Sequence, residues 1–177
     1  MKLHLGCGNR YIEGYVHIDA VEFDHIDHIG QIDQLPYIAT DSVDLIYACH
    51  VLEHFKRNDF ERVLIEWNRV LKPKGILRLA VPDFEMVTYL YNKNKNLNEV
   101  IGLVLGKQDY LYNIHYNIFD FNSLKSSLLK VGFVNVDRYD WRDTEHSHVD
   151  DYSQAYIPHM DKENGILVSL NVECEKY

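Results

Sequence analysis

The sequence is short of several things, and each shortage closes off a class of explanation. Only three cysteines occur, Cys7, Cys49 and Cys174, widely spaced and odd in number. That argues against a disulfide framework and fits reduced thiols. No Cys-x-x-Cys pair is present, so nothing suggests a thiolate zinc site. No stretch approaches the ~18 uninterrupted apolar residues that a membrane span needs, and no signal-peptide pattern is visible. The expected location is therefore cytoplasmic. Lys and Arg are missing altogether from Tyr11 to Phe55, a segment that holds nine acids from Glu13 to Glu53. With a net charge of −9, such a surface repels phosphate backbones and anionic lipid heads. Neither nucleic acid nor a membrane is an expected partner. Internal repeats and low-complexity linkers are also lacking. The polar stretch Asn92 to Asn98 reads as an exposed loop rather than a domain boundary.

What is present fits one domain over residues 1–177, with 46% hydrophobic residues to form a core. Short apolar runs alternate with helical patterns. Strands are expected at Lys2–Leu5, Tyr15–Ala20, His28–Asp33, Val43–Ala48 and Ile76–Val81. Between the last two, Phe60, Val63, Leu64, Trp67, Val70 and Leu71 recur at three- and four-residue steps, the stripe of an amphipathic helix. Asn58 is its expected N-cap, with Glu61 three residues on, and Pro73 with Gly75 should stop it. A second helix is expected over Asn122–Val131, ending at Gly132, followed by a strand over Phe133–Tyr139. From Ile166 to Cys174 apolar residues alternate with Ser169, Asn171 and Glu173. This is the pattern of a strand with one wetter face, commonly antiparallel. Strands alternating with helices suggest a parallel sheet. The whole reads as a doubly wound, Rossmann-like α/β fold whose last strand runs backwards.

In such a sheet, ligands bind at the carboxyl ends of the strands. The first strand ends in Leu5-Gly6-Cys7-Gly8-Asn9, where glycines allow a tight turn and close approach of a ligand to the backbone. A dinucleotide fingerprint needs a third glycine at position 11, which is Tyr11, and no Gly-Lys-Ser/Thr follows for a P-loop. The turn is not built as a phosphate cradle. Asp19 ends the second expected strand, and an ionised carboxylate there can accept both hydrogen bonds of a ribose diol. Asp33 ends the third and can accept from an exocyclic amine, while Leu35 would supply an apolar wall for a purine. Singly, each acid is an ordinary surface or cap residue. Together, at successive strand ends, they describe an adenosine site.

These blocks carry a family resemblance. Lys2-Leu3-His4-Leu5-Gly6-Cys7-Gly8-Asn9, Gly14-Tyr15-Val16-His17-Ile18-Asp19, Leu35-Pro36, Ser42-Val43-Asp44-Leu45-Ile46, His50-Val51-Leu52-Glu53-His54-Phe55 and Val70-Leu71-Lys72-Pro73-Lys74-Gly75 resemble, in order, those of class I S-adenosylmethionine-dependent methyltransferases. The ending Ser169-Leu170-Asn171-Val172-Glu173 resembles a compact bacterial subgroup associated with surface polysaccharide synthesis. The resemblance implies a seven-stranded sheet in the order 3-2-1-4-5-7-6, strand 7 antiparallel, and S-adenosylmethionine as cofactor. It places Gly6, Cys7, Gly8 and Asn9 beneath the methionyl part. It also implies Asp19 at the ribose, Asp33, Gln34 and Leu35 around the adenine, Cys49 and His50 near the methyl, and Ala20 among the cofactor-binding residues. Two departures stand out. The acid that many members carry two residues before the first glycine is His4 here. The helices that usually precede strand one are missing, which leaves one side of the cofactor for a loop or a second subunit, as in a homodimer, to cover.

Methyl transfer mainly requires positioning of the acceptor, with a base wherever a hydroxyl or amine must lose a proton. His50 and His54 would lie on one face if their segment is helical. His115 lies in the aromatic stretch Tyr110–Asp120, whose rings suit a sugar or another small-molecule substrate. His115, His54 and His50 are therefore the candidate bases. No complete ligand set is visible for a metal: His50 and His54 lack a third partner, and the cluster from Asp143 to Asp151 has no helical spacing. Between turn glycines, Cys7 reads as a packing residue rather than a nucleophile. A non-catalytic module of the same fold is the main rival. The missing third glycine disfavours a nicotinamide-dependent oxidoreductase.

Overall fold

A computed structural model describes residues 1–177. Its elements in chain order are β1 (Lys2–Leu5), β2 (Val16–Asp19), β3 (His28–Ile29), β4 (Val43–Cys49), α1 (Phe60–Val70), β5 (Leu71–Pro82), α2 (Phe84–Asn94), α3 (Leu97–Leu105), α4 (Phe121–Lys130), β6 (Phe133–Arg138), β7 (Tyr156–Ile157), β8 (Ile166–Leu167) and β9 (Ser169–Lys176). Seven strands form one sheet in the order β3-β2-β1-β4-β5-β9-β6, and β7 with β8 forms a separate ribbon. The pairs from β3 to β5 are parallel, while β9 runs antiparallel to both β5 and β6. This is the order the resemblance implies, with β9 as the reversed last strand.

The central strands are buried on both faces because helices and loops cover each side. Leu3, Leu5, Ile18, Ile46, Leu77 and Leu79 have no exposed surface, and Trp67 of α1 packs into the same core. Val63, Leu64, Trp67 and Val70 are the buried stripe of α1, as its spacing predicts. The preceding residue is Asp59 rather than Asn58, and neither side chain caps the first turn. The α1 stripe also ends one residue early: Leu71 already pairs with Val43 and opens β5. The Pro73-Lys74-Gly75 segment then bulges out of register before Ile76 pairs with Leu45. At α4, Asp120 and Ser123 form a reciprocal capping box, so that helix starts at Phe121.

Three expectations are corrected. The third strand is only His28–Ile29, so Asp33 lies beyond its end in a bend. β3 is an edge strand bonded only to β2, and the chain leaves it to drop Ile32 and Leu35 into the core. The Ile166–Cys174 run is divided between two sheets, and its polar face is wet only at Glu173, which is half-exposed and paired with Arg78. Ser169 and Asn171 are buried, hydrogen-bonded to each other, and Asn171 Nδ2 donates to Ser153 O. Finally, Asn92–Asn98 is not a plain loop: it joins α2 to α3, with Lys95 in the left-handed region and Asn96 as the cap of α3. No helix is long and apolar enough to cross a membrane.

Candidate functional site

The carboxyl ends of β1, β2 and β4 open onto one cavity of about 580 Å³, within the usual range for small-molecule sites. Its floor is the first turn. Gly6 and Gly8 both have positive φ, 62° and 54°. A Cβ on Gly6 would lie 2.4 Å from Val51 Cγ2, so only glycine fits there. A Cβ on Gly8 would meet nothing within 4 Å, because that backbone borders open space. The turn is pinned from the sheet: Gly6 N donates to Ile18 O at 2.8 Å, and Gly8 N to Asp19 Oδ2 at 2.7 Å. Asp19 Oδ1 accepts from Val21 N at 2.8 Å. Asp19 thus ties two loops together with one bond on each oxygen, while further lone pairs face the cavity.

Ala20, Asp33 and His50 also line this cavity, together with Val21, Phe23, Gln31 and Ile32. Cys7, Asn9 and Cys49 border an adjoining lobe of about 810 Å³ that shares the glycine turn, His50 and His54. Leu35 and Gln34 do not line either lobe. Leu35 is fully buried in the core, its N–H donating to Glu66 Oε1 at 2.7 Å, and Gln34 points to solvent. Ile32, whose carbonyl accepts from Trp67 Nε1 at 2.8 Å, supplies the apolar wall expected of Leu35. Cys7 is buried, and burial pushes its thiol up to about 12, so it stays a neutral packing group. His4 is buried against Tyr47 and His17, and burial lowers its pKa.

The aromatic stretch of this chain reaches the cavity from its open side. Tyr110, Tyr112 and Tyr116 of the aromatic stretch line the cavity, and Gln31 Nε2 donates to Tyr112 Oη at 3.3 Å. Beneath them the chain leaves β4 through His50, which has φ 52°, a left-handed conformation for a residue with a side chain. Leu52–His54 then forms a single 3₁₀ turn. The helix that would align His50 with His54 does not form. His54 meets His115 instead, edge to face with ring centroids 4.9 Å apart. Each donates from Nδ1 to a backbone carbonyl, His54 to Ile114 O and His115 to Leu103 O, both at 3.0 Å. Sequence reasoning passed over the residue between them. Glu53 has no exposed surface, and both of its carboxylate oxygens lack a hydrogen-bond partner. His50 Nδ1 lies 3.5 Å from Glu53 Oε1, and His115 Nε2 lies 4.0 Å from it. Burial raises its carboxyl to about 8. The available signal was one acid inside Val51-Leu52-Glu53-His54-Phe55.

The Asp143–Asp151 cluster does not converge. Glu145 pairs with Lys2 and Arg78, Asp150 with Lys162, and Asp151 accepts from Tyr47 Oη at 2.6 Å. His146 is buried against Tyr47.

Against known proteins, residues 19–79 match the family model described as a methyltransferase domain. No curated protein matches. Solved structures match over nearly the whole chain. A SAM-dependent methyltransferase from Thermotoga maritima is 15% identical with a TM-score of 0.60, over 99% of this chain and 82% of that one. The 1,6-didemethyltoxoflavin-N1-methyltransferase of Burkholderia thailandensis, solved with S-adenosylhomocysteine, is 12% identical with a TM-score of 0.58, over 99% and 70%. The complex between the Haloferax volcanii Trm112 methyltransferase activator and a methyltransferase gives 15% identity and a TM-score of 0.56, over 98% and 81%. The fold is that of the class I S-adenosylmethionine-dependent methyltransferases.

Proposed function

We propose that this protein transfers a methyl group from S-adenosylmethionine to a small molecule, with a hydroxyl of a sugar or sugar-linked intermediate as the acceptor. The observation that carries this reading is the cradle at the end of β1. Two left-handed glycines border a cavity of about 580 Å³ beside the carboxylates of Asp19 and Asp33. The donor set fits the cofactor: carboxylates for hydroxyls and an amine, apolar Ile32 and Val21, and no cluster of cations for phosphate. Gly6, Cys7, Gly8 and Asn9 with Asp19, Ala20 and Asp33 would hold it, and Cys49 and His50 would flank its reacting end. When bound, S-adenosylmethionine supplies an activated methyl group.

The chain's own contribution is to bind, orient and exclude water. The faces of Tyr110, Tyr112 and Tyr116 suit a sugar ring and would also stabilise a cationic sulfonium. His54 and His115 are the candidate bases in this reading, because each donates from Nδ1 to a backbone carbonyl, which favours the tautomer with a lone pair on Nε2. His50 is less suited, being held against Ser169 Oγ at 3.2 Å.

Calorimetric titration with S-adenosylhomocysteine and with NAD tests the cofactor, and turnover of candidate sugar acceptors separates an enzyme from a binding module. Saturable binding of S-adenosylhomocysteine with no competition from NAD is expected. If His54 or His115 activates the acceptor, its alanine variant loses about 10²–10⁴-fold in turnover with cofactor affinity unchanged. Preferential binding of NAD would overturn the reading.

A further inference from the structure

Glu53 is a buried carboxylate surrounded by acceptors, and following the protons around it shows why that matters. Asn171 Nδ2 donates to Ser153 O, which turns Asn171 Oδ1 toward Ser169. Ser169 Oγ donates to Asn171 Oδ1 at 2.9 Å, so its lone pairs are left for His50 Nε2–H at 3.2 Å. His50 Nδ1 is therefore unprotonated, and it lies 3.5 Å from Glu53 Oε1. His115 Nδ1–H is bonded to Leu103 O, so Nε2, 4.0 Å from the same oxygen, carries a lone pair as well. The Ile114 carbonyl fixes His54 in the same tautomer. A buried carboxyl group without a hydrogen-bond partner and neutral imidazoles converge here, and no neighbouring side chain donates to them. Lone pairs so arranged in a buried place are costly unless a proton or a cation lies between them.

We propose that Glu53, His54 and His115 form the binding site of one divalent transition-metal cation. Their ligand atoms lie within 4.8 Å of one another, and an ion bonded to all three at about 2.0–2.2 Å would draw them closer together. Two imidazoles and one carboxylate are a ligand set that transition ions such as zinc, iron or cobalt favour, and magnesium and calcium do not. Donation of the remaining ring N–H to a backbone carbonyl is the way metal-ligating histidines are oriented. Three protein ligands leave coordination positions free toward the lobe that His54 and His115 border. An acceptor hydroxyl bound at such a position would lose its proton more readily. That role rests on the methyltransferase reading, whereas the binding does not. The third ligand that the sequence did not offer comes from a segment some sixty positions away, since His115 N donates to Leu105 O and the next residue's N–H to Glu53 O.

The test uses the full chain, stripped with a chelator and titrated calorimetrically with zinc chloride, then with cobalt(II) followed by visible absorption. One ion per chain is expected. Glu53→Gln and His115→Ala should each weaken binding by tenfold or more. Nitrogen NMR of the wild-type histidines needs no variant to fold. Zinc should move Nε2 of His54 and His115 while Nδ1 stays protonated. Absence of stoichiometric binding overturns the proposal, as does unchanged affinity in both variants, or a Glu53 carboxyl band that stays protonated at saturating zinc. A parallel titration with S-adenosylhomocysteine keeps the questions apart. Zinc binding without it would sink the methyltransferase reading and leave the metal site standing, and the converse would sink the site.

Discussion

Gly6→Ala is the most informative single perturbation, because two costs arise at one atom and can be separated. The first is conformational: at φ 62° any Cβ is in the left-handed region, a cost of ~1–2 kcal/mol. The second is steric. The new Cβ would lie 2.4 Å from Val51 Cγ2 and 3.0 Å from Cγ1, whereas carbon atoms pack at roughly 3.5–4.0 Å. Val51 is buried and β-branched, so it cannot swing aside, and overpacking of this kind costs ~1–3 kcal/mol. Gly6→Ala should therefore lower stability by ~2–5 kcal/mol in equilibrium urea unfolding. Gly8→Ala is the internal control. Its φ is 54°, but no atom lies within 4 Å of the added Cβ, so only the conformational cost of ~1–2 kcal/mol applies. That methyl enters the cavity instead and should weaken S-adenosylhomocysteine more than it weakens the fold. Adding Val51→Ala to Gly6→Ala removes the clash but not the strained φ. The double variant should be more stable than the sum of the two single losses by ~1 kcal/mol or more. Equal stabilities for Gly6→Ala and Gly8→Ala, together with additive losses in the cycle, would refute this account of the turn.

Asp19→Ala should weaken S-adenosylhomocysteine by ~1.5–3 kcal/mol in calorimetry, because the carboxylate both faces the cavity and anchors Gly8 N and Val21 N; equal affinities would remove Asp19 from the site. Stability should also fall with acid. Burial lowers His146 from an ordinary 6.5 to about 4, with Arg78 and His148 pushing the same way and Asp151 and Glu145 opposing. The unfolded chain therefore binds the extra proton between those values, so stability is complete above about 6.5 and declines as pH falls toward about 4, at up to ~1.4 kcal/mol per pH unit. His50, lowered by burial to about 3, adds to the slope over the same window, so His146→Gln should make the urea-derived profile shallower without levelling it, and an unaltered slope would remove His146 as a contributor.

Much of the fold was legible because its signals are local. β1 and β2 are short apolar runs closed by Gly6 and Asp19, and the three- and four-residue spacing of α1 picks out its buried face at Val63, Leu64, Trp67 and Val70, while Phe60 is half-buried and Leu71 opens β5. The reversed last strand was legible in the alternation of Leu170, Val172 and Cys174. The helices α2 and α3 were not. In α2 only Val87 and Leu90 are buried while Tyr89 and Tyr91 stay exposed, and α3 buries Val100 alone. Such narrow faces leave little periodicity to read.

By itself, the sequence determined the cradle. Gly6, Gly8 and Asp19 are close in the chain, and a turn's dihedral demands are met by the residues that make it. Tertiary structure alone decided which side of the bend after β3 faces the cavity. Leu35 and Ile32 are both apolar and both join the core, but only Ile32, whose carbonyl is held by Trp67 Nε1, also reaches the cavity wall. It also decided what surrounds His54 and Glu53. The sequence supplies an acid between apolar residues, but its partner His115 arrives through hydrogen bonds from a distant loop. Contacts of that separation follow from how the whole chain closes, which no local pattern encodes.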